Sequence, residues 1–261
     1  MGDNFVPRIG GILSADIAVP EHERELRFYA RVLSTGDEPL WRDDLMNNLG
    51  MPVIGLGERT AEYDQLPLQW MPHIQVADVA QSAARALELG GRELMHGKDD
   101  EGNSQWAVLL DPNGAAFGII PIVPADAMPP IDDDAAKRAG CIAWLDLTAP
   151  DAAATRDFYQ QVIGWSVEDV EMEDEGERYA DFNMLGADRQ SAAGICHARG
   201  VNKDVPTVWM IYLPVGDLAE SLRRVQEVGG KVLKEMRGSD GTLNSAVIQD
   251  PVGACLALAS G

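Results

Sequence analysis

The side chains that could move a proton or hold a metal are few in this 261-residue chain: four histidines, three cysteines and five tyrosines. His73 is the most suggestive. It lies in "WMPHIQVADV" (70–79), which reads as a strand feeding a helix. A histidine there can be a metal ligand, a general base or part of a pocket wall. Alternation along a strand puts His73 on the same face as Met71. Asp16, in "GILSADIAV" (11–19), shares a face with Ser14; Asp146, in "CIAWLDLTA" (141–149), shares one with Trp144. A carboxylate turned into a fold must be hydrogen-bonded, paired or shifted in pKa. A fixed structural hydrogen bond is the favoured reading of both, with ligand anchoring or general-base work second. Tyr212 stands where the second half of the chain copies His73, close enough in register to pair with Asp146. His22 at a helix start and His96 in a polar turn suggest no chemistry. Cys141, Cys196 and Cys255 sit in apolar runs without a Cys-x-x-Cys spacing, so they read as small buried hydrophobes. There is no serine-hydrolase order and no glycine-rich phosphate loop.

Charge narrows the partners. The formal net charge is −21 and the acid concentrates at 97–102, 131–136 and 167–177. Such a field repels phosphate backbones, which argues against nucleic acid, and it favours a cationic ligand. With 46% hydrophobic residues the chain can build a real core. No apolar run reaches the ~18 residues of a membrane span. The opening "MGDNFVPRIGG" lacks the pattern of a secretion leader, so a cytoplasmic setting is expected.

The elements that must position these residues occur twice. "SADIAVPEHERELRFYARVL" (14–33) matches "WLDLTAPDAAATRDFYQQVI" (144–163) at an offset of 130. "WMPHIQVADVAQSAARALELGGRELM" (70–95) matches "WMIYLPVGDLAESLRRVQEVGGKVLK" (209–234) at 139, and so do "DPNGAAFGI" (111–119) and "DPVGACLAL" (250–258). Two blocks in the same order mean a duplicated domain. The expected bounds are 8–123 and 140–261, with a Pro- and Asp-rich linker at 124–139. Each half reads as strand, helix and strands, twice over. The first helix of the first half, "PEHERELRFYARVL", carries Pro20 for its first turn, and several short strands follow, up to "PVIGLG" (52–57). The second helix runs from Asp78 to Leu89 and stops at Gly90. Strands at 104–110 and 115–122 flank the Asp111-Pro112-Asn113-Gly114 turn.

These motifs, in this order and twice repeated, resemble the vicinal oxygen chelate superfamily, which includes glyoxalase I, extradiol dioxygenases and bleomycin resistance proteins. The resemblance implies an α+β fold of tandem domains, each pairing two βαβββ units into a curved cup of about eight strands. It also implies a divalent metal on the concave face, held by residues at fixed strand positions. Carried over one at a time, those positions are Ser14, Met71 and Gly118 in the first cup, and Trp144, Met210 and Ala257 in the second. A fourth, less securely aligned, falls at Glu58 or His197. A catalytic dication needs about three nitrogen or oxygen ligands and an open position. Neither set supplies them, so no metal and no other cofactor is expected.

The cups themselves remain as pockets. Their expected lining is Ser14, Asp16, Met71, His73, Trp106 and Gly118 in the first, and Trp144, Asp146, Met210, Tyr212 and Ala257 in the second. Trp144 offers a stacking face for an aromatic or cationic molecule. Trp70, Trp209 and the pairs Phe28-Tyr29 and Phe158-Tyr159 read as core, and Trp41 as a lid or a surface residue. The function expected is binding of a small organic molecule; a homo-oligomer is compatible with that. The alternatives are a metal-free lyase, isomerase or hydrolase using Asp16, His73, Asp146 or Tyr212, a glyoxalase-like enzyme with an unrecognised metal site, or a scaffold without a small ligand.

Overall fold

The computed structural model describes residues 7–127 and 133–261. The start of the opening segment (1–6) and the middle of the expected linker (128–132) lie outside the described residues. Strand β1 (Ile12–Val19) leads into helix α1 (His22–Leu33) and, after a long segment, β2 (Ile54–Glu58). The second unit is β3 (Met71–Val76), α2 (Val79–Glu88), β4 (Arg92–Lys98), β5 (Ser104–Leu110) and β6 (Ala116–Pro121). A short helix, α3 (Asp133–Lys137), precedes the second half. That half opens with β7 (Trp144–Ala149), α4 (Ala152–Ile163), β8 (Ser166–Asp174), β9 (Glu177–Leu185) and β10 (Ser191–His197). It closes with β11 (Trp209–Val215), α5 (Leu218–Glu227), β12 (Lys231–Arg237), β13 (Leu243–Gln249) and β14 (Cys255–Ser260). The result is α+β: two curved, open sheets of six and eight strands, ordered β2-β1-β3-β6-β5-β4 and β12-β13-β14-β11-β7-β10-β9-β8. Among the described residues no helix is long and apolar enough to cross a membrane.

Alternation sets the two faces of each sheet. Ala15, Ile17 and Val19 of β1 are buried beneath the helices, as are Trp70, Ile74 and Val76 along β3. Ser14, Asp16, Met71 and His73 therefore face the other way, into the cup. Three of the four principal helices are capped alike. Asp78, Asp151 and Asp217 each accept the backbone N–H three residues on, at 2.9 Å. Helix α1 has Glu21 at this place. Its side chain makes no cap bond and its backbone is left-handed at φ 55°. Pro20 accordingly sits ahead of the first turn rather than inside it.

The first half departs from the expected eight strands. Between α1 and β2 the described chain forms only an isolated bridge, Trp41 to Asn47. Gly36, Leu45 and Gly50 take positive φ there, which interrupts any extended run. The segment packs instead on the other half. The Trp41 indole donates to the Pro214 carbonyl at 2.7 Å, and Asn47 Nδ2 to the Gly140 carbonyl at 2.9 Å. Trp41 is 1% exposed, so it is a core residue and neither a lid nor a surface one. His96 is likewise on strand β4, bonded to Glu93 and Ser104, and not in a turn.

The halves meet helix to helix, α1 on α5 and α2 on α4, and the contact is reciprocal. Trp70 donates to the Tyr29 hydroxyl at 3.2 Å, and that hydroxyl donates across to Asp250 Oδ2 at 2.7 Å. Trp209 donates to the Tyr159 hydroxyl at 2.8 Å, and Tyr159 bonds Asp111 of the first half. Each aspartate is the first residue of a DPxG turn. The glycine pairs that stop α2 and α5 admit the other half's phenylalanine: a Cβ on Gly230 would stand 2.7 Å from the Phe28 ring. Tyr159→Phe leaves the buried Asp111 without one of its donors and is expected to cost about 1–3 kcal/mol in chemical denaturation. Tyr29→Phe is expected to cost a similar amount through Asp250. A change well below this in both variants would remove these bonds from the account of domain pairing.

Candidate functional site

The two cups have diverged. On the concave face of the six-stranded sheet lies an open cavity of about 630 Å³. Asp16 and His73 form its polar patch, Met71 and Gly118 lie on its wall, and Trp106 stands at one side, 39% exposed. Ser14 does not line it. It lies behind His73, its hydroxyl 2.9 Å from Nδ1. That contact leaves Nε2 facing the cavity, 3.5 Å from Asp16 Oδ2. Burial lowers the His73 pKa, opposed by the Asp16 charge. The ring is therefore neutral at neutral pH, with Asp16 open to solvent beside it.

The second cup is filled at the place that matches Asp16 and His73, and a smaller cavity of about 280 Å³ remains beside it, lined by Val205, Leu233, Lys234 and Val247 among others. Met210, Val247, Cys255 and Ala257 form an apolar cluster, with Val205, Val208, Tyr212 and Met236 against it. Asp146 is held by the Trp144 indole, Nε1 to Oδ1 at 2.7 Å, and by the Tyr212 hydroxyl. Burial raises its pKa and those two bonds lower it, with burial dominant. Burial, then the Asp146 charge, pushes the Tyr212 phenol well up. The Trp144 indole N–H is thus committed to a neighbour two residues away. The sequence reading treats both cups as pockets; in the second these side chains fill one another's space.

The difference has a physical source. Strand β10 is flanked by the β9-β8 hairpin, and β2, its counterpart, is a sheet edge because the hairpin's equivalent was diverted into the strap at 35–53. Gly55, Leu56 and Gly57 of that edge consequently line the cavity. Tyr63 and Leu66, from a turn at 61–66, form another wall. Sequence reasoning passed over these two. The offset of 139 could have found Leu66, since it pairs with Val205, which plugs the second cup.

The implied metal can be tested against the donors. Asp16 pairs with Met71 and Ser14 with His73 across β1 and β3, and His73 pairs with Gly118 across β3 and β6, so the three carried-over positions are neighbours. They offer a hydroxyl, a thioether and no side chain. The His73 ring occupies the space of the third: a Cβ on Gly118 would stand 2.8 Å from its Cδ2. In the second cup Met210 and Ala257 lie in the apolar cluster. His197 places Nδ1 3.0 Å from Asp181 Oδ1, and Glu58 is exposed at the end of β2. Among the described residues no group of three or more His, Cys, Asp or Glu side chains could hold a metal ion. The residues present do not fit the family's dication.

The model of the glyoxalase-like domain matches residues 14–120 and again 143–259. The chain belongs to this family, in two copies, and its fold is that of the vicinal oxygen chelate proteins. It is 31% identical over 128 residues to the anthracycline biosynthesis protein DnrV of Streptomyces peucetius. It is 27% identical over 122 residues to the putative glyoxylase CFP32 of Mycobacterium tuberculosis. Each match spans 46% of either chain, about half the length of these relatives. Among solved structures, a catechol 2,3-dioxygenase superposes with a TM-score of 0.55 at 12% identity, over 97% of this chain and 93% of that one. An extradiol ring-cleaving dioxygenase from B. fuscum gives 0.56 at 14% identity, over 98% and 72%. At these identities the likeness concerns the fold alone.

Paired glycines offer a check on the two cups. A Cβ on Gly55 would stand within bonding distance of Asp16 Oδ1, and one on Gly194 equally close to Asp146 Oδ1. Asp16 can swing into solvent; Asp146 is tied by Trp144 and Tyr212. Gly194→Ala is expected to destabilise the protein by about 1–3 kcal/mol, and Gly55→Ala by much less. Thermal melts of the two variants measure this, and equal losses would contradict the assignment of Asp16 as free and Asp146 as fixed.

Proposed function

We propose that the first cup binds a small, largely apolar organic molecule without a metal, and that the second half serves as the structural partner. The observation that carries this is the open cavity with Leu56, Leu66, Met71 and Met95 on its walls and a few polar groups, His73 and Asp16 together and Glu62 and Gln105 apart from them in sequence. Concave, mostly apolar sites with a few convergent polar groups are the usual form of small-molecule pockets. The lining includes two carboxylates, Asp16 and Glu62, and neither lysine nor arginine, which favours a ligand bearing an amine or another hydrogen-bond donor. The exposed face of Trp106 suits a flat ring or a cation. The Streptomyces relative, an anthracycline biosynthesis protein, adds polycyclic aromatic molecules to the sensible probes.

One observation favours a second reading. A neutral histidine beside a carboxylate in an open, mostly apolar cavity is a competent acid–base pair. In that reading the protein is a metal-independent lyase, isomerase or hydrolase, with Ser14 holding the ring at Nδ1, His73 moving the proton at Nε2 and Asp16 beside that nitrogen as a second acid–base group. A thermal-shift panel of amine-bearing, neutral and anionic aromatic compounds, with divalent metals and a chelator in separate arms, tests both readings. An amine-bearing aromatic is expected to raise the melting temperature, and Trp106→Ala and His73→Ala to weaken its binding about tenfold, roughly 1.4 kcal/mol. Unmoved melting temperatures across the organic panel, or a shift only with metal, would sink the binding proposal. Turnover of a bound compound that His73→Gln abolishes would select the catalytic reading.

A further inference from the structure

Glu25, on α1, is 0% exposed, and neither carboxyl oxygen meets a hydrogen-bond donor. Glu25 lies one turn before Tyr29, whose hydroxyl bonds Asp250 in the DPVG turn of the other half, and the Asp250 charge acts on it more strongly than any other. Four donors already bind Asp250. Its Oδ1 accepts the backbone N–H groups of Val252, Gly253 and Ala254 at 3.1, 2.8 and 2.7 Å, and its Oδ2 accepts the Tyr29 hydroxyl. Two buried carboxylates in contact cannot both carry charge; one proton between them turns repulsion into a hydrogen bond. Burial raises the Asp250 pKa and its four donors oppose that rise, whereas Glu25 has no donor to stabilise a charge, so the proton is placed on Glu25. The other charged groups acting on Glu25 are on its own helix: Arg24, which lowers its pKa and bonds Glu21 at 3.1 Å, and Glu21 itself. Arg224 of α5 lies at the far end of α1, bonded to the carbonyls of Arg31 and Ser34.

The reciprocal contact has no such pair. Thr155 replaces Glu25 at the offset of 130, donating to the Asp151 carbonyl and accepting from Asn113 Nδ2. Asp111 there is bonded by Asn113, Ala115 and Tyr159, and among the described residues no second acid figures in the leading influences on its pKa.

We propose that Glu25 is kept as a neutral acid donating to Asp250, so that one of the two symmetry-related clasps between the halves is a proton-dependent latch and the other is not. Burial first, then the Asp250 charge, raises the Glu25 pKa from 4.5 to about 7. The unfolded chain releases this proton near 4.5 and the folded chain holds it to about 7, so stability falls across that window as pH rises and is level above it. Loss of the proton places a second charge against Asp250 and loosens the turn at 250–254 and the α1 face it meets.

Hydrogen exchange of the full chain between about pH 6 and about pH 8, corrected for intrinsic rates, reads the two clasps separately. The 250–254 turn is expected to exchange roughly tenfold faster at the higher pH while the 111–115 turn holds level. Glu25→Gln, which keeps shape and a donor, is expected to abolish that difference. Infrared spectra at the lower pH are expected to lose one protonated-carboxyl band in the same variant. Should Glu25→Gln fail to fold, Glu25→Thr, copying the other half, takes its place. Equal pH dependence in both turns, or an infrared band and an exchange contrast that persist in the variant, would overturn the latch.

Discussion

The pairing of the halves depends on a tyrosine hydroxyl used in both directions. A phenol can accept one hydrogen bond while donating another. Tyr29 and Tyr159 each accept from a tryptophan of their own half and donate to an aspartate of the other. The aspartate in turn closes its DPxG turn with its remaining oxygen. Sheet, helix, partner and turn are thereby linked through a few buried polar atoms. Because those atoms have no water to fall back on, the arrangement is costly to leave half made. The cups lie on the opposite faces of the sheets and inherit their rigidity from this seam.

Rigidity on one face left the other free to change. In the second half the β8-β9 hairpin extends the sheet, and the cup closes over Met210, Val247, Cys255 and Ala257. In the first half the corresponding chain crosses to the partner, where Trp41 and Asn47 bond backbone carbonyls. That diversion strengthens the seam and at the same time uncovers β2. The open cavity is thus a by-product of how the halves are joined. The carboxylates show the same divergence: Asp146 is buried under two donors, and Asp16, at the same place in β1, faces solvent and His73.

Period and repetition made the architecture legible. The two offsets located the four principal helices, the DPxG turns and the strands that face the cups, since each follows from alternation or from a capping residue. They also placed Trp70, Trp209 and the Phe-Tyr pairs in the core. What did not show was anything decided between the halves. Trp41 reads as peripheral within its own segment, and its burial comes wholly from Pro214 and its surroundings. The two cups look equivalent residue by residue, yet they differ in whether the segment after the first helix pairs as a hairpin or crosses to the other half. Nothing in "HERELRFY" marks Glu25 for burial, yet it is 0% exposed, one turn from the Tyr29 that bonds the other half's turn.

The ligand row carries the last step. A metal site would need several donors at set distances, and losing any one leaves the rest as polar groups facing a cavity with nothing to hold. Here none is left over. Ser14 is bonded to His73, the His73 ring fills the space beside Gly118, and Met71 adds an apolar wall. The replacements fit one another, which is what a pocket selected for itself requires and what a decayed metal site lacks. The second cup passes the same test by closing: Trp144, Asp146 and Tyr212 satisfy each other, and Met210 and Ala257 pack. Two different fillings of the same strand positions, in one chain, are the physical ground for the proposal that the first half binds and the second supports.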